Sequence, residues 1–262
     1  MKKHSVIALI TDFGTSDGYI GSVKGAILSL SPSAQIIDIS HSVSPQNIDE
    51  GAFLLWSVFQ YFPKGTIFVC VVDPGVGGSR KILCVETAHY LFLAPDNGIL
   101  KFVLNTIKPT SIVAVTNKRY WRKEISRTFH GRDIFAPVAA HLSRGGEVSR
   151  LGLITDPLFG KEDFVDISSK RKKIFAGKVI HIDHFGNIIT NFHLRQRPKF
   201  PITLRIGKTI ITRFSETYGE AEANRVFSTQ GSSNLIEISI KNRSAAEALQ
   251  VKLNQQVRLW IK

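Results

Sequence analysis

Strand-like and helix-like segments alternate through residues 1–167, and this alternation constrains the fold more than any other feature of the sequence. The apolar runs SVIALIT, QIIDI, TIFVCVV, KILCVET, HYLFLAP and SIVAVT are typical of buried strands. Between and after them lie GYIGSVKGAILSL, NIDEGAFLLWSVFQYF, NGILKFVLNT and DIFAPVAAHLSR, whose composition and spacing indicate helices. The pattern predicts an α/β domain with a largely parallel central sheet, in which ligands bind at the carboxyl ends of the strands.

The pattern changes after a basic stretch at residues 170–173. The segments IFAGKVIHID, NIITNF, ITLRIGKTIIT, NLIEISI and QQVRLWI are short, rich in β-branched residues and separated by Gly, Asn and Ser turns, with one helix-like segment, SAAEALQ. This arrangement is typical of a β-barrel or sandwich. We therefore predict a smaller, barrel-like all-β domain at 174–262, with the boundary near residues 165–174.

Length and composition exclude several classes of protein. The chain has 262 residues, of which 43% are hydrophobic and 21% charged, so it can form its own core and is neither disordered nor fibrous. No apolar run approaches the roughly 20 residues that span a bilayer, and the run that begins at Val6 meets Asp12 too early for a signal peptide. We expect a soluble cytoplasmic protein without a membrane partner. Cys70 and Cys84 lie in apolar runs and are expected to be buried structural residues.

The net charge of +13 raises the possibility of a nucleic-acid partner. The positive residues, however, form local clusters at 118–127 and 170–173. Neither cluster lies in a recognition-helix, zinc-finger or aromatic-platform pattern. A solvated surface is the better interpretation, and we do not expect a nucleic-acid partner.

Polar residues follow the ends of two predicted strands in the first domain. Asp12, in TDFGTSD, has a carboxylate that can cap the next helix or accept hydrogen bonds from the vicinal hydroxyls of a ribose. Asp73 and Arg80 lie in DPGVGGSR, which lacks the G-x-G-x-x-G spacing and the following helix of a dinucleotide-binding loop. The pair either forms a structural salt bridge or belongs to a functional site.

Two further segments carry polar side chains. His130, in FHGRD, stands where a loop meets the sheet edge, and a lone histidine there is either structural or catalytic. Asp183 and Asn187, in DHFGN, lie between two strands, where a turn explains them as well as a binding site does. We expect no metal at this segment, because His181 and His184 point to opposite sides of the strand.

Six segments taken together resemble the S-adenosyl-L-methionine (SAM) hydroxide adenosyltransferase family, whose relatives include fluorinating and chlorinating enzymes. They are TDFGTSDGYIGSVKG, DPGVGGSR, LAPDNGIL, FHGRDIFAP, IDHFGNIITN and GSSNLIEI, and they span nearly the whole chain in the same order. The resemblance implies an α/β domain followed by a smaller β-barrel. It also implies a homotrimer in which each substrate binds between the first domain of one subunit and the second domain of its neighbour.

The resemblance also implies roles for individual residues. The water-activating set of the family falls on Asp73, Arg80 and His130, and the residue that holds the ribose hydroxyls falls on Asp12. Halogenating relatives carry a hydroxyl residue where this chain has Gly131, so hydrolysis is favoured over halogenation. One departure is Gly231-Ser232, where the family often has Asn-Ser. The positions that match those binding the methionine part of the substrate are Asp183, Asn187 and Ser232, and Glu237 matches a binding acid common in the hydrolytic branch.

The implied reaction is attack of water or hydroxide on C5′ of SAM, which gives adenosine and L-methionine. No cofactor is expected, since SAM is itself the substrate. Making hydroxide from water at pH 7 costs about 12 kcal/mol, so the nucleophile needs help. Arg80 stays protonated and can only stabilise charge, whereas either Asp73 or His130 can accept the proton. Alternatives are a SAM-dependent halogenase and a non-catalytic protein that binds SAM, adenosine or nucleic acid.

Overall fold

The computed structural model describes residues 6–160, 162–168, 173–198 and 201–261. The basic residues 170–172 lie outside the described residues. The chain divides into two compact units, Met1–Glu162 and Asp163–Lys262. The first contains a mixed sheet with helices, and the second contains an antiparallel sheet. The predicted order of an α/β domain followed by a smaller all-β domain is therefore confirmed in outline.

The sheet of the first unit has seven strands in the order β2-β1-β3-β5-β4-β6-β7. Its central strands are continuous apolar runs, and every residue of β1, β3 and β5 is buried. Strands of this kind are typical of a sheet that is covered on both faces. The strands are β1 Val6–Thr11, β2 Gln35–Ser40, β3 Ile67–Val71, β4 Ile82–Thr87, β5 Leu91–Pro95, β6 Pro109–Val115 and β7 Gly152–Ile154.

The prediction of a largely parallel sheet holds for only part of this sheet. Strands β2, β1, β3 and β5 are parallel to one another. Strand β4 is antiparallel to β5 and to β6, and β7 is antiparallel to β6. The reason is local: Thr87 N–H donates to the Tyr90 carbonyl (3.0 Å), which closes a hairpin between β4 and β5. A connection this short cannot cross over to a parallel neighbour.

The helices of the first unit follow the predicted segments. They are α1 Tyr19–Leu30, α2 Ile48–Val58, α3 Lys101–Thr106 and α4 Ala136–Ser143, and a π-helical turn, Gly131–Phe135, precedes α4. Helix α2 begins where the Asn47 side chain accepts a hydrogen bond from Glu50 N–H (3.2 Å), and two acidic residues occupy its first turn. Pro137, in the first turn of α4, fits there because it needs no amide partner.

The sheet of the second unit is antiparallel along the order β12-β11-β15-β9-β10-β14-β13, and β8 pairs with β10 in parallel. Its two end strands contact each other, so the sheet nearly closes into a barrel. Helix α5, Ala245–Leu249, is capped by Ser244, whose hydroxyl accepts from Glu247 N–H (3.1 Å). The strands are β8 Val165–Asp166, β9 Ile174–Ile182, β10 Ile188–His193, β11 Ile202–Ile206, β12 Thr209–Ile211, β13 Val226–Gln230, β14 Leu235–Ile240 and β15 Gln256–Ile261.

Cys70 and Cys84 lie in β3 and β4 and are fully buried, as the sequence predicts. Burial raises the pKa of both thiols. In the described part of the chain, none of the helices has the length and apolar character that crossing a bilayer requires.

Candidate active site

Polar side chains collect at one edge of the first sheet. Because β1, β2 and β3 are parallel, their carboxyl ends lie at the same edge. Asp12 directly follows β1, His41 follows β2, and Asp73 stands one residue beyond Val72 after β3. This edge is where ligands bind in α/β sheets.

Asp73, Arg80 and His130 form one connected group. Arg80 Nε lies 2.9 Å from both carboxylate oxygens of Asp73, and Arg80 Nη2 also donates to Asp73 Oδ2. The same Nη2 atom lies 3.2 Å from Nδ1 of His130. The side chains of Asp73 and Arg80 are only 4% and 12% exposed, so this charge pair is shielded from water. The structure thus brings together the three residues to which the resemblance gave one role.

Glycine at position 77 lets the loop 73–80 approach the segment before His130. Gly77 has φ of +79°, and a Cβ atom there would lie 2.4 Å from the carbonyl oxygen of Arg127. Any side chain would collide with this backbone and strain the left-handed conformation. The lack of a side chain at Gly77 therefore allows the two loops to pack closely, and this packing brings Arg80 within reach of His130.

The loop that carries His130 is held by a buried carboxylate. Asp133 is fully buried and accepts hydrogen bonds from Ser126 N–H (2.8 Å) and from Arg132 Nε (2.7 Å). Burial acts to raise the pKa of Asp133, but the hydrogen bonds from Arg132 and Ser126 outweigh it and the pKa is lowered. Asp133 is therefore ionised and pins both ends of the turn in which His130 lies.

His130 is neutral near pH 7. Burial lowers its pKa, the charge of Arg80 lowers it further, and the nearby Asp73 and Asp133 only partly oppose these effects. Since a guanidinium can only donate, Nδ1 of His130 is the acceptor of the Arg80 contact. The ring proton is consequently on Nε2.

An aromatic cluster lies against the same turn. The ring of Phe13 lies 5.8 Å from that of Phe129, and the ring of Tyr19 lies 5.3 Å from that of Phe129. A Cβ atom added to Gly131 would lie 3.2 Å from Cζ of Phe13. The phenyl ring of Phe13 thus leaves little room for a side chain at position 131.

Asp12 is fixed by the segment that follows β2. Its Oδ2 atom accepts a hydrogen bond from Gln46 N–H (2.8 Å), and Gln46 is in the left-handed conformation with φ of +65°. The Asp12 side chain therefore does not cap α1, which was one of the two roles predicted for it, and no side chain caps that helix.

The second unit has a cavity of about 920 Å³. Asp183 and Asn187 form a tight turn that lines this cavity. Asp183 Oδ1 accepts hydrogen bonds from Phe185 N–H (2.9 Å) and Asn187 N–H (2.8 Å), and Oδ2 accepts one from Asn187 Nδ2 (2.8 Å). The turn interpretation is thus correct in geometry, and the turn lines a cavity. The predicted residues that line it are Asp183, Asn187, Ser232 and Glu237.

Glu237 lies beneath the turn between β13 and β14. The hydroxyl of Tyr218 donates to Glu237 Oε2 (2.5 Å), and a Cβ atom on Gly231 would lie 1.8 Å from Glu237 Oε1. The carboxylate thus occupies the space of a side chain at 231. Burial raises the pKa of Glu237, Asp183 raises it further, and the hydrogen bond from Tyr218 opposes both. Burial and the contact with Glu237 raise the pKa of Tyr218.

Comparison with known proteins decides the family. Residues 7–152 match the model of the SAM hydroxide adenosyltransferase N-terminal domain, and residues 177–258 match that of its C-terminal domain. This chain belongs to the SAM hydroxide adenosyltransferase family. A family member from Methanocaldococcus jannaschii named (R)-S-adenosyl-L-methionine hydrolase is 35% identical over 270 residues, covering 97% of this chain and 95% of that protein.

Two other comparisons give one similar solved structure and one more distant relative. A crystal structure of an uncharacterized conserved protein from Thermotoga maritima has a TM-score of 0.88 and 32% identity, and covers 97% of this chain and 99% of that one. A fluorinase from Actinoplanes is more distant, with 28% identity over 72% of each chain. The family resemblance stated from the sequence motifs is confirmed.

Some residues of the candidate site carry no signal in the sequence. Tyr218 lies in a loop outside the recognised motifs, and its contact with Glu237 exists only in the folded unit. Gln46 contributes a backbone amide, which no residue pattern reveals. Phe13 and Gly77 do lie inside the motifs TDFGTSD and DPGVGGSR, but their packing roles appear only in the structure.

Within the described ranges, no group of three or more His, Cys, Asp or Glu side chains is placed to hold a metal ion.

Proposed function

We propose that this protein hydrolyses SAM to adenosine and L-methionine by attack of water on C5′. The observation that carries the proposal is the Arg80 guanidinium, which bridges Asp73 and His130 at the ligand-binding edge of the sheet. Family membership and the relatives named as hydrolases of (R)-S-adenosyl-L-methionine support it. The proposed substrate for this chain is likewise the (R) diastereomer at sulfur.

The sulfonium supplies its own leaving group. As the C5′–O bond forms, the C5′–S bond breaks and its electron pair stays on sulfur, which becomes the neutral thioether of methionine. No general acid, oxidant or cofactor is needed for this step. The sulfonium carries one positive charge, whereas the thioether of methionine and adenosine carry none. The reaction therefore releases one proton, which the site must accept from the attacking water.

Asp73 is the proposed proton acceptor. Its Oδ1 atom accepts only the shared hydrogen bond from Arg80 Nε among the bonds of the described residues, and a carboxylate oxygen has a further lone pair for a water molecule. The single Nδ1 lone pair of neutral His130 already faces Arg80. Once oxygen has bonded to C5′ it is positively charged and strongly acidic, so even a carboxylate paired with Arg80 accepts its proton.

Arg80 and His130 orient the nucleophile in this scheme. The guanidinium is a fixed positive charge that holds the carboxylate plane of Asp73 in place. His130 presents its Nε2–H as a donor, which can hold the oxygen of the attacking water. Preorganised groups of this kind supply a large part of catalysis in dry sites.

Two other regions would hold the ends of the substrate. Asp12 is proposed to accept hydrogen bonds from the ribose hydroxyls. In the cavity of the second unit, Asp183 Oδ1 accepts two hydrogen bonds and Oδ2 one within the turn, whereas none of the bonds of the described residues reaches Glu237 Oε1, so Glu237 Oε1 is the proposed acceptor for the α-ammonium of the methionine part. Asn187 and Ser232 complete the proposed methionine site.

The experiment incubates the protein with each sulfonium diastereomer of SAM in chloride buffer made with ¹⁸O-labelled water. We expect adenosine with ¹⁸O on its 5′-hydroxyl, together with unlabelled methionine, from the (R) diastereomer. Asp73→Ala should abolish turnover, whereas Glu147→Ala, which removes an exposed acid of the same unit, should not. Formation of 5′-chloroadenosine, or binding of SAM without turnover, would contradict the proposal.

We further propose a homotrimer in which each substrate contacts the first domain of one subunit and the second domain of its neighbour. Edge strand β7 supports an association surface, since Leu153 and Ile154 are 76% and 85% exposed. Mixing Asp73→Ala protein with Glu237→Ala protein tests the shared site. Assays are run at a SAM concentration far below the KM of the Glu237→Ala protein. If subunits exchange, mixed trimers contain intact sites and the mixture turns over SAM faster than either variant alone, whereas monomers, or sites within one subunit, give no such gain.

A further inference from the structure

A chain of polar groups runs from the surface to the loop that carries Asp12. Lys24 Nζ donates to Asp38 Oδ2 (2.6 Å), and Asp38 Oδ1 lies 3.0 Å from Nε2 of His41. On the other side of the ring, Nδ1 of His41 lies 2.9 Å from the hydroxyl oxygen of Thr11. Thr11 is 1% exposed and His41 is 6% exposed, so this contact is shielded from water.

The chain of contacts continues into the backbone of the loop 11–14. Phe13 N–H donates to the Thr11 hydroxyl oxygen (3.3 Å), and Gly14 N–H donates to the backbone carbonyl of His41 (2.8 Å). Asp12 lies between Thr11 and Gly14, the two loop residues that contact His41. The Asp12 carboxylate itself accepts a hydrogen bond from the backbone of Gln46, five residues after His41. The segment that follows β2 therefore makes three hydrogen bonds to the Asp12 loop.

The hydrogen-bond directions are set by the chemistry of each group. The negative charge of Asp38, 3.0 Å from Nε2 of His41, favours a ring proton on that nitrogen, although the two groups are not aligned as a hydrogen bond. The Nδ1 atom is then an acceptor and takes the Thr11 hydroxyl proton, which leaves the Thr11 oxygen lone pairs directed to Phe13 N–H. The ring of His41 thus fixes the Thr11 hydroxyl, and that hydroxyl in turn holds the backbone of the loop at Phe13.

We propose that His41 is a positioning residue for the ribose site: through Thr11 it holds the Asp12 carboxylate in the orientation that accepts the ribose hydroxyls. This inference rests on the proposed function, because it takes Asp12 as the ribose acceptor. His41 itself does not touch the substrate. Its effect is to align Asp12 before the ligand arrives, so that less conformational entropy of the loop is lost on binding.

The experiment measures the affinities of adenosine and 2′,3′-dideoxyadenosine by calorimetry. Loss of hydrogen bonds between ribose hydroxyls and a carboxylate is expected to weaken binding about tenfold or more in the natural protein. His41→Ala leaves the backbone bond to Gly14 in place and removes only the ring. We expect the two ligands to bind this variant with nearly equal affinity, as they should bind Asp12→Ala.

Two further variants separate positioning from loss of structure. Thr11→Val keeps the β-branched shape of a buried residue and removes only the hydroxyl, so it should also weaken the discrimination between the two ligands. His141→Ala removes another largely buried imidazole of the same unit, whose ring centre lies 4.2 Å from that of Tyr120, and should leave the discrimination unchanged.

The outcomes distinguish this inference from the proposed function. If Asp12→Ala removes the discrimination but His41→Ala and Thr11→Val keep it, the positioning role is overturned and the ribose role of Asp12 stands. If the natural protein binds both ligands equally, the ribose role of Asp12 fails and the inference fails with it. Turnover of SAM, measured separately, reports on the proposed reaction in either case.

Discussion

Arg80 Nη2 lies 3.2 Å from Nδ1 of His130 while the same guanidinium holds the carboxylate of Asp73. One cation therefore joins two loops that are 50 residues apart in the chain. The planar, forked geometry of arginine makes this possible, because several N–H groups point in fixed directions. A lysine ammonium has the charge without the fork.

Replacing Arg80 with lysine should therefore separate charge from geometry. We expect Arg80→Lys to lower kcat about 100- to 1000-fold, the range found when one preorganised donor is lost, with little change in KM. Steady-state measurement of adenosine release checks this. Arg119→Lys, an exposed change in the same unit, is the matched control. A kcat near that of the natural protein would show that charge alone suffices.

The pH dependence of kcat/KM should report on His130. Below its pKa, which burial and Arg80 hold under the usual value of about 6.5, His130 gains a proton on Nδ1 that faces the Arg80 cation. The contact is then lost, so activity should fall as the pH drops through that lowered pKa. His130→Gln should have lower activity without this acid limb. The assignment would be wrong if the limb persisted in the variant.

Gly77 should be essential for joining the two loops. Gly77→Ala places a methyl group 2.4 Å from the Arg127 carbonyl in a left-handed conformation, which we expect to cost about 1–3 kcal/mol of unfolding free energy. Because Arg80 and His130 then move apart, kcat/KM should fall about tenfold or more.

The control for Gly77→Ala is Gly25→Ala. A Cβ atom on Gly25 meets nothing within 4 Å, and alanine in the middle of α1 should stabilise the helix by up to about 1 kcal/mol. Urea denaturation and kinetics of both variants check the pair. Equal effects at the two positions would remove the packing argument for Gly77.

Gly231 and Glu237 should act as one unit in substrate binding. A methyl group at 231 would lie 1.8 Å from Glu237 Oε1, so Gly231→Ala must displace the carboxylate from Tyr218 and from the cavity. We expect KM for SAM to rise about tenfold, with a smaller change in kcat.

A double-mutant cycle tests this coupling. If Gly231→Ala acts only by displacing Glu237, it should add nothing to KM in the presence of Glu237→Ala, which removes the carboxylate and the atoms that the methyl group meets. Additive effects would mean that residue 231 contacts the substrate itself or alters the turn. The melting temperature of each variant shows whether the second unit remains folded.

The sequence by itself determined the succession of strands and helices, because apolar periodicity and turn residues act over a few neighbouring positions. It also predicted the members of the candidate site, since the motifs containing Asp12, Asp73, Arg80 and His130 are specific in combination. The helix-capping interpretation of Asp12 was wrong, because the carboxylate binds Gln46 N–H instead. The parallel character of the sheet was overestimated, because the pairing partner of β4 depends on a hairpin turn.

The tertiary structure alone decided how these residues act on one another. The bridge from Arg80 to His130, the packing of Gly77 under Arg127 and the hydrogen bond from Tyr218 to Glu237 each join segments that are distant in the chain. Such contacts depend on where the sheet and its loops place each backbone, and no local preference encodes them. The same holds for His41, whose ring reaches Thr11 only because β1 and β2 are parallel neighbours that end at one edge.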